Sequence, residues 1–211
     1  MHRAILALAL LATTFGLLLF ALRGWPVLVI GVASLMGALA YMGGPRPIAY
    51  TPVGELTVLA FFGWIAVLGT AWLLGTPPNG IGVLLASGVG CMAAAALAIN
   101  NHRDRAHDLS IGRQTFAAMA GAKASGRLVL VLLWAPLLCV ATAAGLAKAF
   151  PLLLPWLLAP RLWRLAGDFL RCPPGVAFNA ILYRTFRMML EFSLLLCLGL
   201  WWAQRAGLSV T

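Results

Sequence analysis

Asn100-Asn101-His102-Arg103-Asp104-Arg105-Ala106-His107-Asp108-Leu109-Ser110-Ile111-Gly112-Arg113-Gln114-Thr115-Phe116-Ala117 follows a strongly apolar run and holds two of the chain's five acidic residues. Asp104 and Asp108 are four apart, so a helix would set both carboxylates on one face, one turn above the other. Arg103, Arg105 and Arg113 crowd the same turns. Paired carboxylates among arginines suit a divalent cation that in turn holds an anionic oxygen ligand such as a diphosphate. The same residues also suit a solvated loop between two membrane helices, in which Asp and Arg pair with each other. Spacing alone does not separate the two readings; the surrounding chain must.

The surroundings are lipid-soluble. Of the 211 residues, 63% are hydrophobic and 9% charged, against roughly 25% charged in soluble domains. The net charge of +10 belongs in such a chain to membrane topology and not to a nucleic-acid partner. Cys91, Cys139, Cys172 and Cys197 are scattered, without a CxxC spacing, and read as apolar packing residues.

Working outward, seven apolar runs predict helices over 4–22, 26–42, 56–74, 81–101, 126–147, 150–167 and 182–203, each near the roughly 20 residues that span the hydrocarbon. The first is longer than the roughly 7–15 residues of a secretory core and lacks a good cleavage site, so it reads as a membrane helix. Gly24-Trp25-Pro26 makes the first turn. Three prolines and three glycines break the chain over 41–55, and Glu55 opens the third run, where an acid suits the helix dipole. Pro77-Pro78-Asn79-Gly80 predicts a tight turn. The fourth run is rich in Gly and Ala, which allows close packing in lipid and puts it inside the bundle. It is expected to continue into the polar stretch as far as Gly112. A Pro173-Pro174-Gly175 turn separates the last two runs. The fold class is an all-α polytopic membrane helix bundle of about seven transmembrane helices, with residues 1–211 as a single domain.

Charge orients the bundle. With alternating helices, twelve Lys and Arg fall on the side of the N-terminus, Arg3 among them, and three (Arg23, Lys148, Arg205) on the other. The positive-inside rule then puts the N-terminus in the cytoplasm of a bacterial plasma membrane and the C-terminus outside. All five acids fall on or near the cytoplasmic face, and the helix centres read as nearly free of ionisable groups. That argues against a channel or carrier, whose polar groups sit near the midplane. It favours a cytoplasmic pocket above an apolar bundle, suited to a substrate with an anionic head and an apolar tail.

The stretch Asn100-Asn101-His102-Arg103-Asp104, with Asp108 and Gly112-Arg113-Gln114-Thr115-Phe116-Ala117, closely resembles the second aspartate-rich motif of the UbiA superfamily of intramembrane prenyltransferases, in the form of its MenA branch. Tyr41-Met42-Gly43-Gly44-Pro45-Arg46-Pro47-Ile48-Ala49-Tyr50, with Gly54-Glu55, Phe62-Gly63 and Gly69-Thr70, is similar to a second signature of that branch. The resemblance covers essentially the whole chain. It implies Mg²⁺-dependent transfer of a polyprenyl group from its diphosphate to 1,4-dihydroxy-2-naphthoate, with loss of the carboxyl group, in menaquinone synthesis. Asp104 and Asp108 would hold Mg²⁺ bridging to the prenyl diphosphate. Asn100 and Asn101 would orient metal waters or diphosphate, with helix termination as their other reading. Arg103, Arg113 and Lys123 would hold phosphate oxygens, or else lipid headgroups. Arg46, Tyr50 and Glu55 would line the acceptor site, unless Tyr50 is an interfacial anchor.

His102 and His107 read as loop histidines. Asp168 is expected in a loop, pairing with Arg164 or Arg171, and Glu191 near the start of the last helix, pairing with Arg187. Arg113 replaces the motif's Lys and Phe116 its Leu. The seven helices match the third to ninth of the family's nine, and no counterpart of its first aspartate-rich motif precedes Glu55. There are three explanations: a truncated gene product, a split enzyme whose missing N-terminal segment another polypeptide supplies, or a non-catalytic homologue that binds prenyl lipid or quinone without turnover.

Overall fold

The computed structural model describes residues 2–173 and 175–208, without the side chains of 2–5 and 9. Arg3's side chain and Pro174 of the predicted turn lie outside the described residues. Met1–Ala49 and Tyr50–Thr211 form two compact units. In the first, α1 (His2–Arg23) and α2 (Trp25–Met42) pack on each other as a hairpin, turning at Gly24 with Pro26 in the first turn of α2. Nearly all their described apolar side chains are exposed, as lipid solvation requires.

The second unit carries the core. It comprises α3 (Gly54–Val58), a π-helix (Leu59–Leu68), α4 (Gly69–Leu73), α5 (Gly80–Ser110), α6 (Phe116–Ala147), a 3₁₀ helix (Phe150–Leu158), α7 (Ala159–Arg171) and α8 (Phe178–Arg205). The Asn79 side chain caps α5 by accepting from the Gly82 N–H at 2.7 Å. From there α5 runs through the centre of the unit, with Ala86, Ala94, Ala95 and Ile99 fully buried. Its small residues let neighbours approach closely. A Cβ at Gly63 would meet the Ala86 carbonyl oxygen at 2.5 Å, and one at Gly90 the Leu59 carbonyl oxygen at 2.5 Å. The π-helix and α5 therefore cross backbone to backbone.

Six helices among the described residues are long and apolar enough to cross a membrane: α1, α2, the continuous stretch Gly54–Leu73, α5, α6 and α8. The helix expected over 150–167 is different. Its first half is a 3₁₀ helix and its second half is the start of α7. Pro151, Pro155 and Pro160 lack the N–H that an α-helix interior needs, and Arg161 and Arg164 lower the hydropathy of α7. The segment nevertheless runs beside α6 and α8. Trp156 Nε1 donates to the Leu137 carbonyl at 3.0 Å, and Pro151 abuts Gly199. The expected helix over 126–147 begins ten residues earlier, at Phe116, and bends at Gly121 (φ +82). The chain is an all-α integral membrane protein. All four cysteines are free thiols.

Candidate functional site

The site is built where α5 ends and α6 begins. Gly112 adopts φ +74. The Arg113 N–H reaches back to the Asp108 carbonyl at 2.9 Å and the Gly112 N–H to the Leu109 carbonyl at 3.3 Å. This is a Schellman closure, which needs a left-handed residue at Gly112. It turns the chain so that Thr115 caps α6, accepting from the Ala118 N–H at 3.3 Å. The same hydroxyl donates to Asp108 Oδ2 at 3.3 Å, and Arg113 Nη1 donates to Oδ1 at 3.3 Å. Asp108 is thereby enclosed, its side chain 3% exposed. The Arg113 guanidinium lies 4.0 Å from the centroid of the Tyr50 ring, a cation–π contact. The Gln114 N–H donates to the Tyr50 carbonyl at 3.0 Å.

One turn earlier, Arg103 holds Asp104 as a fork, Nε to Oδ1 at 2.7 Å and Nη2 to Oδ2 at 2.8 Å. Asn100 Nδ2 donates to Asp104 Oδ2 at 3.3 Å, and Asn100 Oδ1 accepts from Arg103 Nη2 at 2.8 Å. Arg103 Nη1 donates to Asn179 Oδ1 at 2.7 Å. Asn179, at the start of α8, was not singled out from sequence, and no local spacing marks it. The Asp104 side chain stays 35% exposed.

On the adjoining face, Asn101 Nδ2 donates to Glu55 Oε1 at 3.0 Å. Glu55 is 5% exposed, and its Oε2 is buried with no hydrogen-bond partner. His102 Nδ1 lies 2.7 Å from Ser125 Oγ, and its ring stands 5.1 Å from Phe169 and 5.9 Å from Phe178. His102 is thus a packed helical residue and not a loop histidine. His107 is also helical, though exposed.

The structure brings Asn100, Asn101, Arg103, Asp104, Asp108, Arg113 and Tyr50 to one end of the second unit, together with Glu55, Thr115 and Asn179. Lys123 is exposed on α6, two residues before Ser125, whose Oγ meets His102, and has no ion pair among the described residues. Arg46 belongs to the first unit and is exposed there. Two pairings differ from expectation. Asp168 lies within α7 and pairs with Arg184 at 2.6 Å, a partner on another helix that no sequence spacing signals. Glu191 pairs with Arg187 at 2.9 Å as expected, and also with Arg161 at 2.5 Å. Because α8 starts at Phe178, Glu191 is thirteen residues inside it and not near its start.

The donor set fits magnesium in kind. Two carboxylates and two amide side chains are hard oxygen ligands, and Mg²⁺ typically takes one or two carboxylates, with waters and substrate phosphates completing its shell. Each carboxylate keeps lone pairs beyond those its arginine uses. No group of three or more His, Cys, Asp or Glu among the described residues is placed to hold a metal by itself.

The model of the UbiA prenyltransferase family matches residues 2–182. The 1,4-dihydroxy-2-naphthoate octaprenyltransferase of Escherichia coli (strain K12) is 34% identical over 185 residues, covering 85% of this chain and 59% of that protein. Proteins of the same name from Mycobacterium tuberculosis and Bacillus subtilis are 35% and 33% identical over 55% and 57% of this chain, and 39% and 40% of their own lengths. The chain therefore spans less than two thirds of the length of these relatives. The stretch from which the site was read, Asn100 to Ala117, lies wholly inside the matched region, and the chain belongs to the UbiA prenyltransferase family.

Proposed function

We propose that this chain takes part in Mg²⁺-dependent transfer of a polyprenyl group from its diphosphate to 1,4-dihydroxy-2-naphthoate, in menaquinone synthesis. The observation that carries the reading is the α5 end itself. Asp104 and Asp108 lie one turn apart, each held by an arginine, beside an apolar bundle suited to a prenyl tail. Asp104 and Asp108 would hold the metal. When bound, Mg²⁺ supplies positive charge against the departing diphosphate. The chain's own residues orient and neutralise. Arg103 and Arg113 are forks matched to phosphate oxygens. Asn100 keeps Asp104 and Arg103 in register, and Thr115 holds Asp108 at its rotamer. The allylic C–O bond breaks with its electron pair leaving on diphosphate. The ring carbon then bonds to the allylic carbon, and the ring carboxyl departs as CO₂. Tyr50 and Arg46 are assigned to the acceptor, and Lys123 to phosphate approach. The site faces the cytoplasm of a bacterial plasma membrane, with the N-terminus on that side and the C-terminus outside.

A second reading has its own observation: both oxygens of Asp104 already engage Arg103. A closed ion pair of that kind suits a homologue that binds prenyl lipid or quinone without turnover. One experiment separates them. Membranes from cells expressing the chain are given polyprenyl diphosphate, 1,4-dihydroxy-2-naphthoate and Mg²⁺, and prenylated naphthol is measured. Asp104→Ala and Asp108→Ala should each lower product by about 100-fold or more, as should chelation, since metal stabilisation contributes several kcal/mol of barrier. Binding of prenyl diphosphate with no product from the unmodified chain favours the second reading; undiminished product from Asp104→Ala sinks the first.

A further inference from the structure

Far from the α5 end along the chain, α7 and α8 enclose a groove of about 330 Å³ lined by Arg161, Arg164, Tyr183, Arg184, Arg187 and Met188. Four arginines line it, and two acids, Asp168 and Glu191, pair with three of them: Arg184, Arg161 and Arg187. Arg164 has no ion pair or hydrogen bond among the described residues, so the groove carries two positive charges in excess. Its depth comes from helix geometry. Phe178 packs against His102 at the site end. Arg184 and Arg187 lie six and nine residues beyond it, or about 9 and 14 Å along α8. On α7, Phe169 marks the same end, and Arg164 and Arg161 lie about 8 and 12 Å below it. Met188, on the inner wall, packs with Met92, Leu133 and Pro136 in the middle of the unit. Trp163, Phe186 and Leu190 are exposed around it. A cationic recess thus lies about 8 to 14 Å along α7 and α8 from the site end, rimmed by exposed apolar side chains, a setting in which charged groups are retained only with partners.

We propose that this groove is a binding site for an anionic phospholipid, its phosphate seated on Arg164 and Arg184 and its acyl chains lying along the apolar rim. The lower pair, Arg161 and Arg187, clasps both oxygens of the half-buried Glu191. Arg164 has no ion pair among the described residues, and Arg184 holds the exposed Asp168 through Nη1 alone, so the upper pair receives the phosphate. Arginine presents the planar fork that phosphate oxygens accept. A zwitterionic lipid brings a phosphate too, but its ammonium would meet a recess already in positive excess. The site is separate from the Asp104–Asp108 end and does not depend on the function assigned there.

The test uses the full chain purified in detergent with equal amounts of phosphatidylglycerol and phosphatidylcholine, reading retained lipid by native mass spectrometry. Two positive charges in excess predict a preference for phosphatidylglycerol of about tenfold or more. The double variant Arg164→Gln, Arg184→Gln should bring the two lipids near parity, while Arg205→Gln, at the far end of α8, should change nothing. If the double variant fails to fold, Arg164→Gln alone carries the test, since it breaks no ion pair. Equal retention of both lipids by the unmodified chain overturns the proposal, as does a preference that survives loss of both arginines. Displacement of phosphatidylglycerol by millimolar inorganic diphosphate, or by a trace of polyprenyl diphosphate, overturns it in favour of a free-anion or substrate site.

Discussion

The second unit holds two arginine–carboxylate clusters built from the same side chains and solvated in opposite ways. At the α5 end, Asp108 is 3% exposed and closed in by Arg113 and Thr115. Between α7 and α8, Asp168 and Arg184 pair at 2.6 Å with side chains 49% and 42% exposed. The contact is shorter at the surface, yet burial and not distance decides what each pair is worth. Removing one partner of a buried pair strands a charge, whereas an exposed pair contributes little. The inner cluster can therefore hold geometry for chemistry, and the outer one is free to exchange partners with a ligand.

Matched arginine deletions are the sharpest way to break that contrast. Arg113→Leu leaves Asp108 buried with only a hydroxyl donor and should lower unfolding stability in mixed micelles by about 3 kcal/mol. Next comes the neighbouring buried acid. Glu55→Leu takes the acceptor from Asn101 and should lower stability by about 1–3 kcal/mol, while Glu55→Gln, which can still accept from Asn101, should recover most of it. A similar or smaller loss, about 1–3 kcal/mol, is expected of Gly63→Ala. There the added methyl meets the Ala86 carbonyl and pushes the π-helix off α5; thermal unfolding with and without prenyl diphosphate would show whether the shift reaches the site. Arg184→Leu should have the smallest effect, within about 1 kcal/mol. If it matches Arg113→Leu, exposure does not separate the two clusters and the comparison fails.

Much of this was legible beforehand because it depends on short spacing. Gly112 ends α5 as its place in the stretch predicts, Asn79-Gly80 sits at a helix start, and the Gly/Ala-rich run is the inner helix. Asp104 and Asp108 share a face because the helix repeat puts them there, and Arg187 meets Glu191 for the same reason. Contacts that join distant segments were not legible. Glu55 meets Asn101 across 46 positions, and Arg103 meets Asn179 across 76. No local pattern marks either pairing. The charged groove was missed for a related reason: each of its arginines reads alone as a positive-inside residue near a helix end. Only the packing of α7 on α8, and the true start of α8 at Phe178, shows that they line one recess well below that end.

The amino-acid sequence by itself determined the lipid-solvated helical class, the helix that lies inside, the carboxylate stripe and the family, since all of these depend on composition and on periods of a few residues. Tertiary structure alone decided that Asp168 meets Arg184 and that Glu191 meets Arg161 as well as Arg187, and that Glu55 is buried with one oxygen unpartnered. Those outcomes depend on how helices approach one another. In lipid, that approach is set by small-residue contacts such as Gly63 against α5, and no short window of sequence encodes which two surfaces will meet.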